Sequence, residues 1–432
     1  MARVVVIGGG WSGSAAALAA AQAGAEVILL ERADMLLGTG LVGGIMRNNG
    51  RYTAAEEMIA MGSGTFFEIT DSLSLHQNLD FPHHRHSSLY DVTRIEPAVR
   101  HALKEAGVDV RLQSRITAVQ MEGQTILAVS PYGSEVISGD AFVDATGSAG
   151  PPGGCERYGH GCMMCVLRCH TFGGRVGVAA LAGVREMVAT TATGKVGAYS
   201  GSCELAKESI DPAIIEELER NGLVVVPLPQ DLQDANKLTL KACQRYAEPE
   251  YGENLVILNT GHPKLMVPYM DLNRLRAVPG FEAARYIDPY SGGVANSVRF
   301  LGIAPRDNTL KVQGINNLYA CGEKAGPLVG HTEAIVTGVL AGHNATRISM
   351  GYAPITIPTN LAIGDAISWT AERMLVPAGL GNKYTFSGSV YFHRMREKGL
   401  YTIDHEAIRM RVETSGMTGI FGRRLSEARH AI

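Results

Sequence analysis

Residues Val4–Glu31 read VVVIGGGWSGSAAALAAAQAGAEVILLE. The run predicts a buried strand at Val4–Ile7, a glycine turn, a helix of small residues from about Ser12 to Ala23, and a second strand, Glu26–Leu30, ending in an acid. Gly8, Gly10 and Gly13 have the spacing of a dinucleotide fingerprint. The first permits a tight turn, the second lets a pyrophosphate approach the backbone, and the third brings helix against strand. Glu31 stands 18 residues after Gly13, where a carboxylate can accept both hydroxyls of an adenosine ribose, and Arg32 beside it joins the same candidate site. A glycine-rich turn occurs in many α/β proteins. Here the strand before, the helix after, Ala17 and Ala20 on the sheet side and Gly24 closing the helix complete the context for an adenine dinucleotide.

The rest of the composition agrees with an α/β enzyme. The chain has 432 residues, enough for two or three domains, with 46% hydrophobic residues, only 6% aromatic ones and 51 glycines. A net charge of -3 gives no global electrostatic argument for nucleic acid or an anionic membrane. Gly, Pro or a charge interrupts every apolar run before it reaches membrane-spanning length, and the first strand begins too early for a removable leader. A cytoplasmic protein without a membrane partner, acting on a small-molecule substrate as a homo-oligomer, is the expectation. Seven cysteines, four of them between positions 155 and 169, suit reduced thiols or a metal centre better than a disulfide framework.

Beyond the acid, Arg32–Asn49 carries Gly38, Gly40, Gly43 and Gly44, a loop suited to run along a cofactor. Its polar end, Arg47, Asn48 and Asn49, is a candidate contact to the cofactor or substrate. Residues 53–75 and 91–106 have helical periodicity, and the stretches 108–122, 125–131 and 135–137 alternate as antiparallel strands. His83, His84 and His86 lack neighbouring carboxylates or cysteines at ligand spacing and read as surface histidines after a proline turn. Ala141–Gly147, AFVDATG, is an apolar strand entering small residues, with Thr146 and Gly147 placed to let backbone lie under a dinucleotide. Residues 151–300 read as an inserted α+β substrate domain, with helices at 178–190 and 212–221 and with 252–261 and 276–280 as strand and turn. Within Asn316–Arg347, a short strand leads to Gly322 and Glu323, then to Gly330, His331 and a helix of small residues. Glu323 can bond a ribityl hydroxyl, and the helix N-terminus can stabilise negative charge on a reduced flavin. His331, at that entry, is the candidate for polarising substrate or shuttling a proton. A polar, partly helical segment, 356–432, closes the chain.

Cys155, Cys162, Cys165 and Cys169 have the spacing C-x6-C-x2-C-x3-C. Four thiolates so placed can wrap an iron–sulfur cluster of the 4Fe-4S type, and such a cluster would pass on singly the electrons that a flavin takes in pairs. A zinc site, a Cys162–Cys165 redox dithiol and inert buried thiols are the alternatives. Arg168 and Arg175 lie close in sequence and read as structural or solvent-facing before substrate-binding. Cys203, Cys243 and Cys321 read as core.

Segments 4–31, 141–147 and 316–347 together resemble the two-dinucleotide-domain FAD flavoproteins. Within these, Leu318–Glu323 (LYACGE), Gly330–Ala334 (GHTEA), Thr337–Ala345 (TGVLAGHNA) and Pro279–Ala283 (PGFEA) resemble the family of the glucose-inhibited division protein A and the folate-dependent tRNA uracil-5-methyltransferase. The resemblance implies an α/β, Rossmann-like two-dinucleotide-domain FAD fold with an inserted α+β substrate domain. FAD-binding parts would lie at 1–150 and 301–355. It implies FAD as cofactor. Where tRNA-modifying members carry a cysteine in the early flavin loop, this chain reads Gly44–Asn49, GIMRNN. The function expected is that of an FAD-dependent oxidoreductase with a cysteine-ligated centre near the flavin and, in one version, a redox partner protein. The alternatives are a folate- and FAD-dependent RNA-modifying enzyme and a non-catalytic electron-transfer subunit.

Overall fold

A computed structural model describes residues 2–147, 177–190, 198–199, 203–233, 248–266, 270–287, 298–299 and 301–425. The cysteine group at 155–169, with Arg168, Arg175 and Cys243, lies outside the described residues.

Valine-rich Arg3–Ile7 is buried on both faces, as befits the middle of a parallel sheet covered by helices. It pairs in parallel with Glu26–Leu30 on one side and Ala141–Asp144 on the other, Val5 standing opposite both Ile28 and Phe142. Leu318–Ala320 extends the sheet beyond Ala141–Asp144, and Asp109–Arg111 extends it beyond Glu26–Leu30. The sheet thus joins segments three hundred residues apart, so the early and late fingerprints occupy one layer.

The helix Trp11–Ala23 covers the sheet and ends at Gly24, whose φ of 106° is the left-handed closure a glycine supplies best. Against it lies His331–Ser349. An added Cβ on Gly338 would fall 2.1 Å from the Ser12 carbonyl oxygen, and one on Gly342 would fall 2.0 Å from that of Ala16. The small residues on both helices therefore set how closely their backbones approach.

Ile116–Glu122, Thr125–Pro131 and Ile137–Ser138 form the antiparallel sheet expected from their alternation. Residues 53–75 differ from expectation: Gly62, with φ +92°, separates the helix Gly50–Ala60 from Thr65–Ser72, and a strand begins at Ser74. In the insert, Gly183 halts the helix at Val178–Leu181, and Met187–Val188 is a strand. Leu272–Arg276 is a short helix that the periodicity does not announce, started by Asp271, whose side chain accepts from the backbone of Asn273 and Arg274, and turns follow it at 277–280.

A four-stranded antiparallel sheet, in the order Cys203–Glu204, Pro263–Leu265, Asn254–Asn259, Leu223–Pro227, carries the helix Pro212–Asn221. It has its own apolar core around Leu218, Leu255, Ile257 and Phe281. The late segment is not peripheral, since Ile363, Tyr384, Phe386 and Tyr391 enter the main core. No helix among the described residues is long and apolar enough to cross a membrane.

Candidate functional site

The glycine turn is shaped by contact on one side and by space on the other. Gly8 has φ +101°, and a Cβ there would meet the Ala145 carbonyl oxygen at 2.3 Å; one on Gly13 would meet the Gly8 oxygen at 1.7 Å. Over Gly10 nothing lies within 4 Å. Gly10 also begins the helix Trp11–Ala23, whose first turn has no side-chain cap and no acid, so its N–H groups and dipole are available to an anion. Glu31 is buried at the tip of the second strand, where Oε2 accepts from Gly9 N at 2.6 Å and Oε1 from Ala33 N at 2.8 Å. Burial raises its carboxyl above the usual range, against the pull of these hydrogen bonds. Beside it, all three guanidinium nitrogens of Arg32 are buried without a hydrogen-bond partner. An open glycine face, an uncapped helix start and an unsatisfied cation fit the pyrophosphate and adenosine of FAD.

Asp144, fully buried at the end of its strand, organises the next turn. Its Oδ1 accepts from Thr146 Oγ1 at 2.7 Å and from Thr146 N at 3.2 Å, and its Oδ2 accepts from Ala179 N at 2.9 Å. Gly147, with φ +65°, faces open space. Across the sheet, Gly322 has φ +60° and no room for a Cβ, which would lie 2.6 Å from Ser12 Oγ; its N–H donates to Thr337 Oγ1. The following Glu323 is half-buried. Lys324 is fully buried and ion-paired with Glu186.

The loop through Gly40, Gly43 and Gly44 runs from this turn to the late helix. Gly40 lies against the Trp11 indole, and a Cβ on Gly43 would fall 1.5 Å from Cε1 of His331. The Tyr90 hydroxyl donates to Gly40 O at 2.6 Å and accepts from Trp11 Nε1 at 3.3 Å. His331 Nδ1 lies 3.1 Å from Ile45 O and 3.2 Å from the Tyr90 oxygen. A carbonyl can only accept, so the neutral ring carries its proton on Nδ1 and presents Nε2 as an acceptor. Gly330, with φ +148°, precedes His331; a Cβ there would lie 2.0 Å from both Arg51 Nη2 and Glu333 Oε2.

Arg47 and Asn48 occupy a different setting from His331. The Arg47 guanidinium pairs with Glu56 and, at 2.8 Å, with Asp71, and it lies over the rings of Tyr52 and Phe67. Asn48 is fully buried, with Nδ2 donating to His84 Nδ1 at 2.8 Å. His84 is therefore not a surface residue: it is buried and stacked on Phe81. The sequence reading also passed over Glu333, fully buried, which accepts from Arg51 Nε at 2.9 Å, Thr385 Oγ1 at 2.6 Å and Phe386 N at 2.8 Å. Its one sequence signal was its place in the first turn of the late helix. Among the described residues no group of three or more His, Cys, Asp or Glu side chains is placed to hold a metal ion.

Comparison with known proteins matches two segments to described families. Residues 3–150 match the FAD dependent oxidoreductase family, and residues 248–352 match glucose inhibited division protein A. The methylenetetrahydrofolate–tRNA-(uracil-5-)-methyltransferase of Thermus thermophilus is 31% identical over 188 residues, covering 41% of this chain and 40% of that protein. The tRNA uridine 5-carboxymethylaminomethyl modification enzyme of Desulfotalea psychrophila is 29% identical over 119 residues, covering 28% of this chain and 18% of that protein. These alignments thus span less than half the length of either relative. The solved structure of Aquifex aeolicus GidA superposes with a TM-score of 0.64 at 16% identity, over 95% of this chain and 76% of that one. With the glycine turn, the acid-tipped second strand and the late helix in one sheet-and-helix layer, this chain has the fold of GidA and resembles the FAD dependent oxidoreductase family over its first third and the family of the glucose-inhibited division protein A and the folate-dependent tRNA uracil-5-methyltransferase over its later part.

Proposed function

We propose that the chain is an FAD-dependent enzyme that modifies a uracil base in RNA. The observation that carries this reading is the 31% identity to a tRNA uracil methyltransferase over 188 residues. When bound, FAD supplies hydride or electron transfer at its ring system. The chain's own residues bind and orient. Gly10 and the N-terminus of Trp11–Ala23 receive the pyrophosphate, Arg32 neutralises charge beside it, and Glu31 accepts from the ribose. Thr146, Gly147, Gly322 and Glu323 line the path to the late helix. There the helix N-terminus at His331 favours negative charge, and His331 Nε2 takes or returns a proton.

The test is incubation of the flavin-loaded protein with unmodified tRNA transcript and methylenetetrahydrofolate under reducing conditions, followed by nucleoside mass spectrometry. A methyl-sized mass gain on uridine is expected. Unchanged uridine, together with no RNA binding at low salt, would overturn the reading.

The four-cysteine spacing and the absence of a cysteine from Gly44–Asn49 favour a second reading. In it the chain is an FAD oxidoreductase of a small molecule, cytoplasmic and homo-oligomeric, passing electrons through a 4Fe-4S centre at Cys155, Cys162, Cys165 and Cys169 to a redox partner. Iron and sulfide analysis of anaerobically purified protein separates the two, because zinc or no metal removes the electron relay and leaves the FAD site intact.

A further inference from the structure

The inserted sheet delivers an acid and a base to the loop that His331 touches. Glu204 and Lys264 are directly opposed on adjacent antiparallel strands, so their side chains share one face. Lys264, only 3% exposed, donates its Nζ to the carbonyl oxygens of Val42, at 2.7 Å, and of Gly43. Gly43 is the residue whose Cα lies against the His331 ring. From the other side, Tyr90 is buried, sits close enough to Glu204 to feel its charge, and reaches His331 Nδ1 at 3.2 Å. Glu204 itself is 8% exposed, and its Oε1 is buried with no hydrogen-bond partner.

A buried carboxyl oxygen without a donor is unfavourable, and the Lys264 ammonium beside it also donates to two carbonyls. Such an oxygen is placed to meet a group the chain does not supply. The groups facing it are Lys264 across the strand and Tyr90 from His84–Tyr90, with His331 and Arg51 beyond Tyr90. Burial pushes the Glu204 carboxyl up to about 7, while the Lys264 charge pulls it down. That range suits an acid that both gives and regains a proton near neutrality.

We propose that Glu204 is a catalytic acid–base residue of the FAD site, with Lys264 as the cation that holds its ionised form. In the transfer, the O–H bond of Glu204 breaks and the proton passes to a basic oxygen or nitrogen of the substrate. The carboxylate left behind stays beside the Lys264 ammonium, and water returns the proton. The proposal rests on FAD occupying the adjoining loop and not on which substrate is used.

The test is the midpoint potential of the bound flavin measured from about pH 5 to about pH 9, a range that brackets the Glu204 titration. The wild-type plot should change slope near the acid's value of about 7. Glu204→Gln should abolish that change at unaltered FAD content, and Lys264→Gln should move it upward by about one pH unit. A slope change that survives in Glu204→Gln overturns the assignment and passes the titration to His331. If Glu204→Gln does not fold, Lys264→Gln decides, and an unmoved inflection overturns the proposal. A wild-type chain that takes up no FAD overturns this proposal and the cofactor reading together, whereas a flavin-loaded chain with a straight plot overturns this one alone.

Discussion

Gly13 has no space for a side chain, since an added Cβ would lie 1.7 Å from the Gly8 carbonyl oxygen, whereas Gly10, three residues earlier, has open space above it. The two should therefore respond differently to alanine. Gly13→Ala is expected to cost about 1–3 kcal/mol in denaturant unfolding through forced separation of turn and helix. Gly10→Ala keeps its ordinary φ of -63°, leaves stability nearly unchanged and weakens FAD by about tenfold, or ~1.4 kcal/mol, in a fluorescence titration. Glu333→Gln removes the carboxylate from the buried Arg51 guanidinium, and a loss of about 3–5 kcal/mol in urea unfolding is expected. The packing of the glycine turn and the place of Glu31 at the strand tip were legible in the sequence because a single strand–turn–helix–strand unit determines both. Glu333 with Arg51, and Glu204 with Lys264, were not. Their meaning depends on partners 282 residues apart in the first case and on strand register in the second.

The late helix shows the same division at the level of elements. Its small residues and its glycine-led start were readable, but not that Gly338 and Gly342 bring it onto the backbone of the opening helix. Gly342→Leu should destabilise the protein by more than about 1–3 kcal/mol, because the obstacle is a carbonyl rather than a movable side chain. The same helix carries His343, fully buried with neither ring nitrogen hydrogen-bonded, edge-on to Phe421. Burial, helped by the Arg347 charge, pushes its pKa down from 6.5 to about 4. Between those values the unfolded chain binds a proton that the folded one does not, so stability is full above about pH 6.5 and falls as the pH drops toward 4. The effect is on the order of 3 kcal/mol. Unfolding free energies from urea titrations at pH 5 and pH 7 should differ by about 2 kcal/mol less in His343→Leu than in the wild type, the remainder of the effect lying below pH 5.

For the whole molecule, the parallel sheet and the antiparallel strands between Ile116 and Ser138 followed from the sequence pattern, Asp109–Arg111 joined the parallel sheet instead, and the helix ends that were misplaced lie at Gly62 and Gly183, whose positive φ no hydrophobic pattern reports. The late segment was read only as polar and partly helical, because its buried Tyr384, Phe386 and Tyr391 are spaced by loop geometry rather than by a regular period. Since the proposed FAD contacts run from Gly8 to His331, FAD should stabilise the entire fold. Stripping it from a sample held at a hundredfold excess over Kd should lower the unfolding free energy by about 2.7 kcal/mol, read as a fall in Tm on thermal scanning.

The seating of Gly338 and Gly342 on the carbonyls of Ser12 and Ala16 also has a temporal meaning. During synthesis the opening helix leaves the ribosome long before the helix that covers it. At about 5–20 residues per second the interval is roughly half a minute. Throughout that interval the alanine face of Trp11–Ala23 has no covering helix, and the sheet lacks its Leu318–Ala320 edge. The nascent chain therefore carries an uncovered apolar helix face just where its fingerprint is already complete.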